Sequence, residues 1–289
     1  MAGLLAGKAI VVTGAGNGLG RAYALAASMA GARVVVNDID ETRAAAVCKE
    51  ITGAGGAAAV STASVSDWDA AASIVQTLSD LADRDLVIEA ATENPAVKAA
   101  LFADLDRIVK RPDAILATNT SSIPIAQVAG ATTRPWQVVG LHFFNPAPVQ
   151  KLVELIPSIF TGEETVRHAR LFVTDGLGKT AINAPDRSGF VVNALLVPYL
   201  LSAIRMLEAG HATAEDIDTG MMLGWAHPMG PLRLADLIGL DTLRAVAGSM
   251  YEEYSEPWYA APPLLRRMTD AGMLGRKTGR GFYDYREQR

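Results

Sequence analysis

Short apolar runs rich in β-branched residues alternate with longer amphipathic stretches through the first half of the chain. Residues 8–13 (KAIVVT) suit a strand buried on both faces, as in a parallel sheet. A glycine-rich turn follows, then an Ala-rich helix from about 20 to 30. Residues 33–37 (RVVVN) give a second buried strand, and 41–53 a helix that stops at Gly53-Ala54-Gly55-Gly56. Residues 57–60 read as a third strand. Ser66-Asp67-Trp68-Asp69 is a helix start, with Ser66 as cap in an imperfect capping box. Residues 85–89 (DLVIE), 114–118, 138–144 and 151–156 are further strands, with a helix over 94–110 after the first of these. Strand–helix alternation of this kind predicts an α/β fold, a Rossmann-like doubly wound and mostly parallel sheet.

The pattern changes near residue 185. Residues 190–208 form a long, mostly apolar stretch whose length favours a helix buried against other helices. Helical readings continue over 213–222, 230–249 and 262–273, and GRKTGRGFYDY follows as a Gly-rich tail. The expectation is an α/β domain over 1–185 and an all-helical C-terminal domain over 186–289.

Composition narrows the function classes. Half of the 289 residues are apolar and 20% are charged, a globular balance. The net charge of −5 and pI near 5.4 leave no basic footprint for nucleic acid. No uninterrupted apolar run approaches the roughly 18 residues that span a bilayer, and no signal peptide is legible at the start. Cys48 has no second cysteine to pair with, which favours a reducing compartment. The expectation is a cytoplasmic protein.

The turn after the first strand carries the first chemistry. Thr13-Gly14-Ala15-Gly16-Asn17-Gly18-Leu19-Gly20 lies between a strand and a helix, the context that dinucleotide binding requires. Glycines let the backbone approach a pyrophosphate, and the helix N-terminus offers free N–H groups. Gly14, Gly18 and Gly20 fit T-G-x-x-x-G-x-G, not G-x-G-x-x-G. Asp38 ends the second strand, where a carboxylate accepts both ribose hydroxyls and repels a 2′-phosphate. NAD is therefore favoured over NADP.

With T-G-A-G-N-G-L-G-R-A-Y-A-L and V-V-V-N-D, residues 1 to about 78 resemble a short-chain dehydrogenase/reductase. That family's Tyr-x-x-x-Lys pair is absent, since no tyrosine here has a lysine four residues on. Glu89-Ala90-Ala91 replaces its Asn-Ala-Gly, and Ser64 stands near a place where it has an acid.

The rest of the chain carries E-A-A-T-E-N, N-T-S-S-I, G-L-H-F-F-N-P-A-P-V, L-V-E-L, S-G-F-V-V-N-A-L-L-V-P-Y, H-P-M-G-P-L and G-R-K-T-G-R-G-F-Y. From about 79 to 289 it resembles the L-3-hydroxyacyl-CoA dehydrogenases, nearest to their bacterial 3-hydroxybutyryl-CoA branch. The two resemblances together imply a chimera joined around Leu78–Asp80. On the residues alone, His142 on one strand and Glu154 on the next can pair as an acid–base dyad. On the same residues a structural reading stands beside it, since an isolated His beside an apolar strand is more often structural and Glu154 can point outward.

The resemblance assigns His142 as general base, Glu154 as its orienting partner, and Ser121 and Asn193 as hydrogen-bond partners of the reacting oxygens. It places Glu93, Lys98, Asn145 and Lys277 near NAD, beside Gly14, Asn17, Gly18, Leu19, Gly20 and Asp38 of the turn. It implies an acyl-CoA substrate and a homodimer formed through the helical domain. His168, His211 and His227 have no metal-ligand spacing, and no metal is expected. The family's helical hairpin after the second strand, which contributes Ser and Lys contacts to CoA, is replaced by the shorter 41–56 segment with Lys49. Weaker CoA binding is the expectation, and an NAD-binding chimera with little or no turnover is the alternative reading.

Overall fold

The protein is described by a computed structural model over residues 6, 9–63, 86–90, 93–144, 147 and 149–286. It divides into two units, Met1–Arg187 and Ser188–Arg289.

In the first unit, β1 (Ala9–Thr13), β2 (Arg33–Asn37) and β3 (Ala57–Ser61) pair in parallel in that order. Val34, Val35 and Val36 are all buried, as a strand covered on both faces requires. Two helices cover this ladder, α1 (Gly18–Met29) and α2 (Glu41–Gly53). Asp40 caps α2 by accepting from the Arg43 N–H, which satisfies one of the helix's free donors.

A second ladder runs β4 (Leu86–Glu89), β5 (Ile115–Thr118), β6 (Val138–Phe143), β7 (Leu152–Ile156) and β8 (Thr180–Asn183). Only β6–β7 is antiparallel, so the Rossmann-like sheet is mostly parallel as expected. Among the described residues no ladder joins β1 to β4. Helix α3 (Pro95–Ile108) follows β4, capped by Asn94. The short α4 (Ile125–Ala129) follows β5. Helix α5 (Glu163–Leu171), between β7 and β8, continues as a π-helical segment Phe172–Gly176. The sequence reading contained neither α4, α5 nor β8. Helix α5 is strongly polar with only Thr165 and Ala169 buried, and β8 is four residues of an edge with Thr180 and Asn183 exposed.

The second unit is helical: α6 (Val192–Glu208), α7 (Ala214–Gly224), α8 (Pro231–Ile238), α9 (Leu240–Tyr254) and α10 (Pro263–Asp270). The single helix expected over 230–249 is broken into α8 and α9. Gly239 sits at φ 102°, outside helical space, and a Cβ there would stand 3.1 Å from Asp241 Oδ1 and Lys277 Nζ. The helix expected to reach 273 stops at Asp270, ahead of Gly272 at φ 72°. The helix start at Ser66–Asp69, Ser64 and the joint at Leu78–Asp80 lie outside the described residues.

A mostly apolar cavity of about 470 Å³ in the first unit is lined by residues of β1, α1, β4 and the π segment, including Ile10, Val12, Ala26, Ile88 and Phe172. The Tyr23 hydroxyl is buried there without a hydrogen bond. Asn119 stands nearby but outside bonding geometry, and burial holds the phenol protonated. Ala26→Leu would fill part of this space. A gain of about 1 kcal/mol, seen as a rise of a few degrees in Tm, is expected. A fall in Tm would mean that the walls cannot accept the added methyl groups.

Candidate active site

The phosphate turn is built as its glycines demand. Gly14 (φ 65°) and Gly18 (φ 53°) occupy left-handed backbone, and open space lies where their side chains would be. A Cβ on Gly20 would stand 2.2 Å from the Gly14 carbonyl oxygen, so this glycine lets α1 lie directly on the turn. Asn17 caps α1 and accepts from the Gly18 N–H at 2.8 Å. Leu19 lies in the first helical turn. The Ala15 N–H donates to the Asn37 carbonyl at 2.8 Å, which ties the turn to β2.

Asp38 follows β2 and accepts from the Gly16 N–H at 2.9 Å and the Asp40 N–H at 3.0 Å. A carboxylate is thus fixed one hydrogen bond from the glycine turn. Free N–H groups at a helix start, an unobstructed glycine cradle and an anchored acid together fit a dinucleotide with free ribose hydroxyls. Asp38→Asn keeps an acceptor for Gly16 but removes the charge. Discrimination against NADPH is expected to fall on the order of tenfold, equivalent to about 1.4 kcal/mol, in paired Kd measurements with NADH and NADPH. An unchanged ratio would remove Asp38 from cofactor choice.

The second cluster grows from strand register. The β6–β7 ladder places His142 opposite Glu154. Their side chains are buried, and Glu154 Oε2 lies 2.7 Å from His142 Nδ1. A carboxylate at Nδ1 places the ring proton there and leaves Nε2 as an acceptor. The Ser121 hydroxyl lies 3.1 Å from Nε2, and the Phe144 ring meets the imidazole edge to face at 4.8 Å. Ser121, His142 and Glu154 therefore form one continuous line of hydrogen bonds.

Glu93 holds the loop that carries Ser121. Its Oε1 accepts from the Thr120 hydroxyl at 2.6 Å and from the Ser121 N–H, the Ser122 N–H and the Ser122 hydroxyl, each at 2.9 Å. Burial pushes this carboxyl upward. The Thr120 hydroxyl, the Lys98 charge, the Ser121 N–H and the Ser122 hydroxyl outweigh burial and hold it below the usual range. Lys98 itself is buried, its ammonium donating to both Glu89 oxygens at 2.9 and 2.7 Å, with Glu93 Oε2 at 3.8 Å.

Lys98 therefore faces two carboxylates inside the first unit. Lys277 lies in the second unit, where its ammonium donates to Asp241 at 2.6 Å. Asn193 is the second residue of α6, half-buried, also in the second unit. Asn145 lies outside the described residues. His227 bonds the Tyr199 hydroxyl at 3.1 Å and His168 sits among Glu164 and Arg167. Among the described residues no three His, Cys, Asp or Glu side chains gather into a metal-binding group. The sequence reading missed Glu89, Thr118 and Thr120. The one signal was a carboxylate ending the apolar strand DLVIE nine residues before a lysine.

The family model described as "3-hydroxyacyl-CoA dehydrogenase, NAD binding domain" matches residues 9–187, and "3-hydroxyacyl-CoA dehydrogenase, C-terminal domain" matches 189–285. The first match takes in the glycine turn as well as the region of the expected joint, so the family assignment covers the segment that resembles short-chain dehydrogenases. The chain is similar to a 3-hydroxybutyryl-CoA dehydrogenase of Mycobacterium tuberculosis, 61% identical over 208 residues, 72% of this chain and 73% of that protein. It is similar to another from Bradyrhizobium diazoefficiens, 43% identical over 284 residues and 96% of each. Among solved structures, M. tuberculosis FadB2 superposes with a TM-score of 0.82 at 47% identity, covering 96% of this chain and 98% of that one.

Proposed function

The chain belongs to the 3-hydroxyacyl-CoA dehydrogenase family, and from that premise we propose that it oxidises L-3-hydroxybutyryl-CoA and its near homologues through a His142–Glu154 acid–base dyad. The observation that carries this reading is the line Ser121–His142–Glu154, in which Nε2 is left as the accepting nitrogen. NAD supplies the hydride acceptor for C3. The turn residues Gly14 to Gly20 and Asp38 would hold it.

The chain's own residues handle the proton. The substrate O–H bond breaks, its proton passes to His142 Nε2, and the electron pair left on oxygen forms the ketone as the C3–H bond is lost. Glu154 stabilises the imidazolium that results. In the reverse direction the protonated ring polarises the ketone and returns the proton. Ser121 shares the accepting face of the imidazole, which suits it to bond the same substrate oxygen. The family resemblance assigns Asn193 a parallel role from the second unit, and Glu93, Lys98, Asn145 and Lys277 a place near NAD. The Asp241 pairing of Lys277 and the burial of Lys98 favour a supporting part for both.

A composite ancestry, with the segment to about 78 shared with short-chain dehydrogenases, is part of this reading. The T-G-x-x-x-G-x-G spacing supports it. Helix α2 ends at Gly53 and residues 54–56 lead directly into β3, which leaves no hairpin to meet CoA. Remote binding energy is then lost, so KM rises and kcat falls together. Leu195, Leu223 and Trp225 are exposed on the helical unit, which supports a homodimer formed through it. The lone Cys48 supports a cytoplasmic setting, and no helix among the described residues is long and apolar enough to cross a membrane.

The test is NADH oxidation with acetoacetyl-CoA and with a truncated acetoacetyl thioester. Turnover of both, with a smaller preference for full CoA than an intact relative shows, supports the proposal. NADH binding without turnover of either overturns it in favour of a folded, nucleotide-binding chimera.

A further inference from the structure

We propose that Arg43 is a second selector of the nucleotide, a latent 2′-phosphate site beside Asp38 that Asp40 holds closed. The inference rests on the reading that the glycine turn and Asp38 receive the adenosine ribose, and it names a residue that acts there against Asp38.

Gly16 is where the turn, the end of β2 and the start of α2 meet. A Cβ on Gly16 would stand 2.7 Å from Asp38 Oδ2 and 2.7 Å from Arg43 Cβ. The carboxylate and the root of the arginine side chain are therefore no farther apart than twice that distance. Arg43 is the third residue of α2, and its side chain is 58% exposed. The fold thus places a solvated guanidinium on a long stem next to the carboxylate that reads the ribose. An arginine at that place is what a 2′-phosphate requires.

Asp40 occupies this arginine from both sides. Its Oδ1 accepts from the Arg43 N–H at 3.1 Å, and its Oδ2 lies 3.0 Å from Arg43 Nε. Its own N–H donates to Asp38 Oδ1 at 3.0 Å. Gly16, Asp38, Asp40 and Arg43 are thereby joined in one chain of contacts. The Asp40–Arg43 pair is exposed, and such pairs contribute little. A phosphate offers the fork more charge and more acceptor oxygens than Asp40 does, so it can take the guanidinium over.

Charge explains why the site is latent. Asp38, Asp40 and Glu41 accompany the single cation Arg43 between residues 38 and 43. Their balance repels a 2′-phosphate, and Asp38 stands closest to the turn that would receive it. Asp38→Asn leaves two carboxylates to one guanidinium, with Arg43 still held. Adding Asp40→Asn leaves one to one and releases the guanidinium. Asparagine caps a helix as well as aspartate, so the Arg43 N–H keeps its acceptor.

The test is the Kd of NADH and of NADPH, by fluorescence titration, for wild type, Asp38→Asn and Asp38→Asn with Asp40→Asn. Each is measured with and without Arg43→Ala. The pair of asparagines should bind NADPH roughly tenfold tighter than Asp38→Asn alone. Arg43→Ala should abolish that gain while moving NADH by no more than about twofold, since free ribose hydroxyls give the guanidinium no anion to meet. The gain should also shrink as salt is raised. Arg43→Gln, which keeps most of the stem, replaces Arg43→Ala if the latter lowers Tm.

NADPH binding that tightens equally without Arg43 would overturn the proposal, because loss of repulsion would then explain everything. So would an Asp40→Asn arm that adds nothing to Asp38→Asn, or an Arg43→Ala loss shared equally by both nucleotides. If wild type binds no NADH, the nucleotide reading of the turn has failed and takes this proposal with it. If NADH binds and only the Arg43 arms are flat, that reading stands and the selector falls alone.

Discussion

Substituting His142 with Ala is expected to lower kcat for acetoacetyl-CoA reduction by about 10³- to 10⁴-fold while NADH affinity stays within a few-fold of wild type. Positioned general acid–base groups contribute roughly 10²- to 10⁴-fold, and in the proposed mechanism this imidazole also takes up the charge that Glu154 balances. The loss should sit in kcat, since the Nε2 proton is transferred during the chemical step and not in binding nucleotide. Glu154→Gln leaves the ring in place but removes the carboxylate 2.7 Å from Nδ1. The ring can then take the other tautomer, and a drop of about 10² or more in kcat is expected. Comparable rates in wild type and His142→Ala would end the dyad mechanism. A drop seen only as weaker NADH binding would make the histidine structural.

Gly20→Ala should be the most disruptive single methyl group in the first unit. The added carbon would lie 2.2 Å from the Gly14 carbonyl oxygen, 2.6 Å from its carbon and 2.9 Å from Ala15 Cα. All three are main-chain atoms of the turn, which cannot rotate aside as a side chain can. Helix α1 must therefore lift from β1. A cost on the order of 3 kcal/mol and a loss of NADH affinity of 100-fold or more are expected, read by denaturant unfolding and by fluorescence titration. Gly18→Ala is the control. Open space surrounds it and the cost is backbone strain alone, about 1 kcal/mol at φ 53°. If Gly20→Ala were no worse than Gly18→Ala, close packing of helix and turn would not explain the glycine.

The strands were legible because their apolar runs are short and β-branched. RVVVN and LVELI fall within a residue of β2 and β7, and His142 opposite Glu154 is what two adjacent antiparallel strands with those sequences allow. The glycine turn was legible from spacing and context. The polar helix α5 was not, since it buries so little that periodicity carries no signal. The break at Gly239 was hidden because one glycine in a helical pattern is tolerated more often than it ends a helix; here its φ of 102° takes the backbone out of helical space. Glu89 and Thr118 escaped notice because each reads as an ordinary strand terminus. Glu89 takes its bonds from a lysine that α3 returns to it and from the Thr118 hydroxyl, contacts set by tertiary packing.

The lack of a ladder between β1 and β4 among the described residues bears on how strand register is fixed. A strand inserted into a continuous sheet must match its neighbour's hydrogen-bond phase, because a slip of one residue turns every side chain to the wrong face. The β1–β3 block is free of that constraint on its β4 side and needs only a compatible shape there. The register of β1–β3 is therefore set within that block alone.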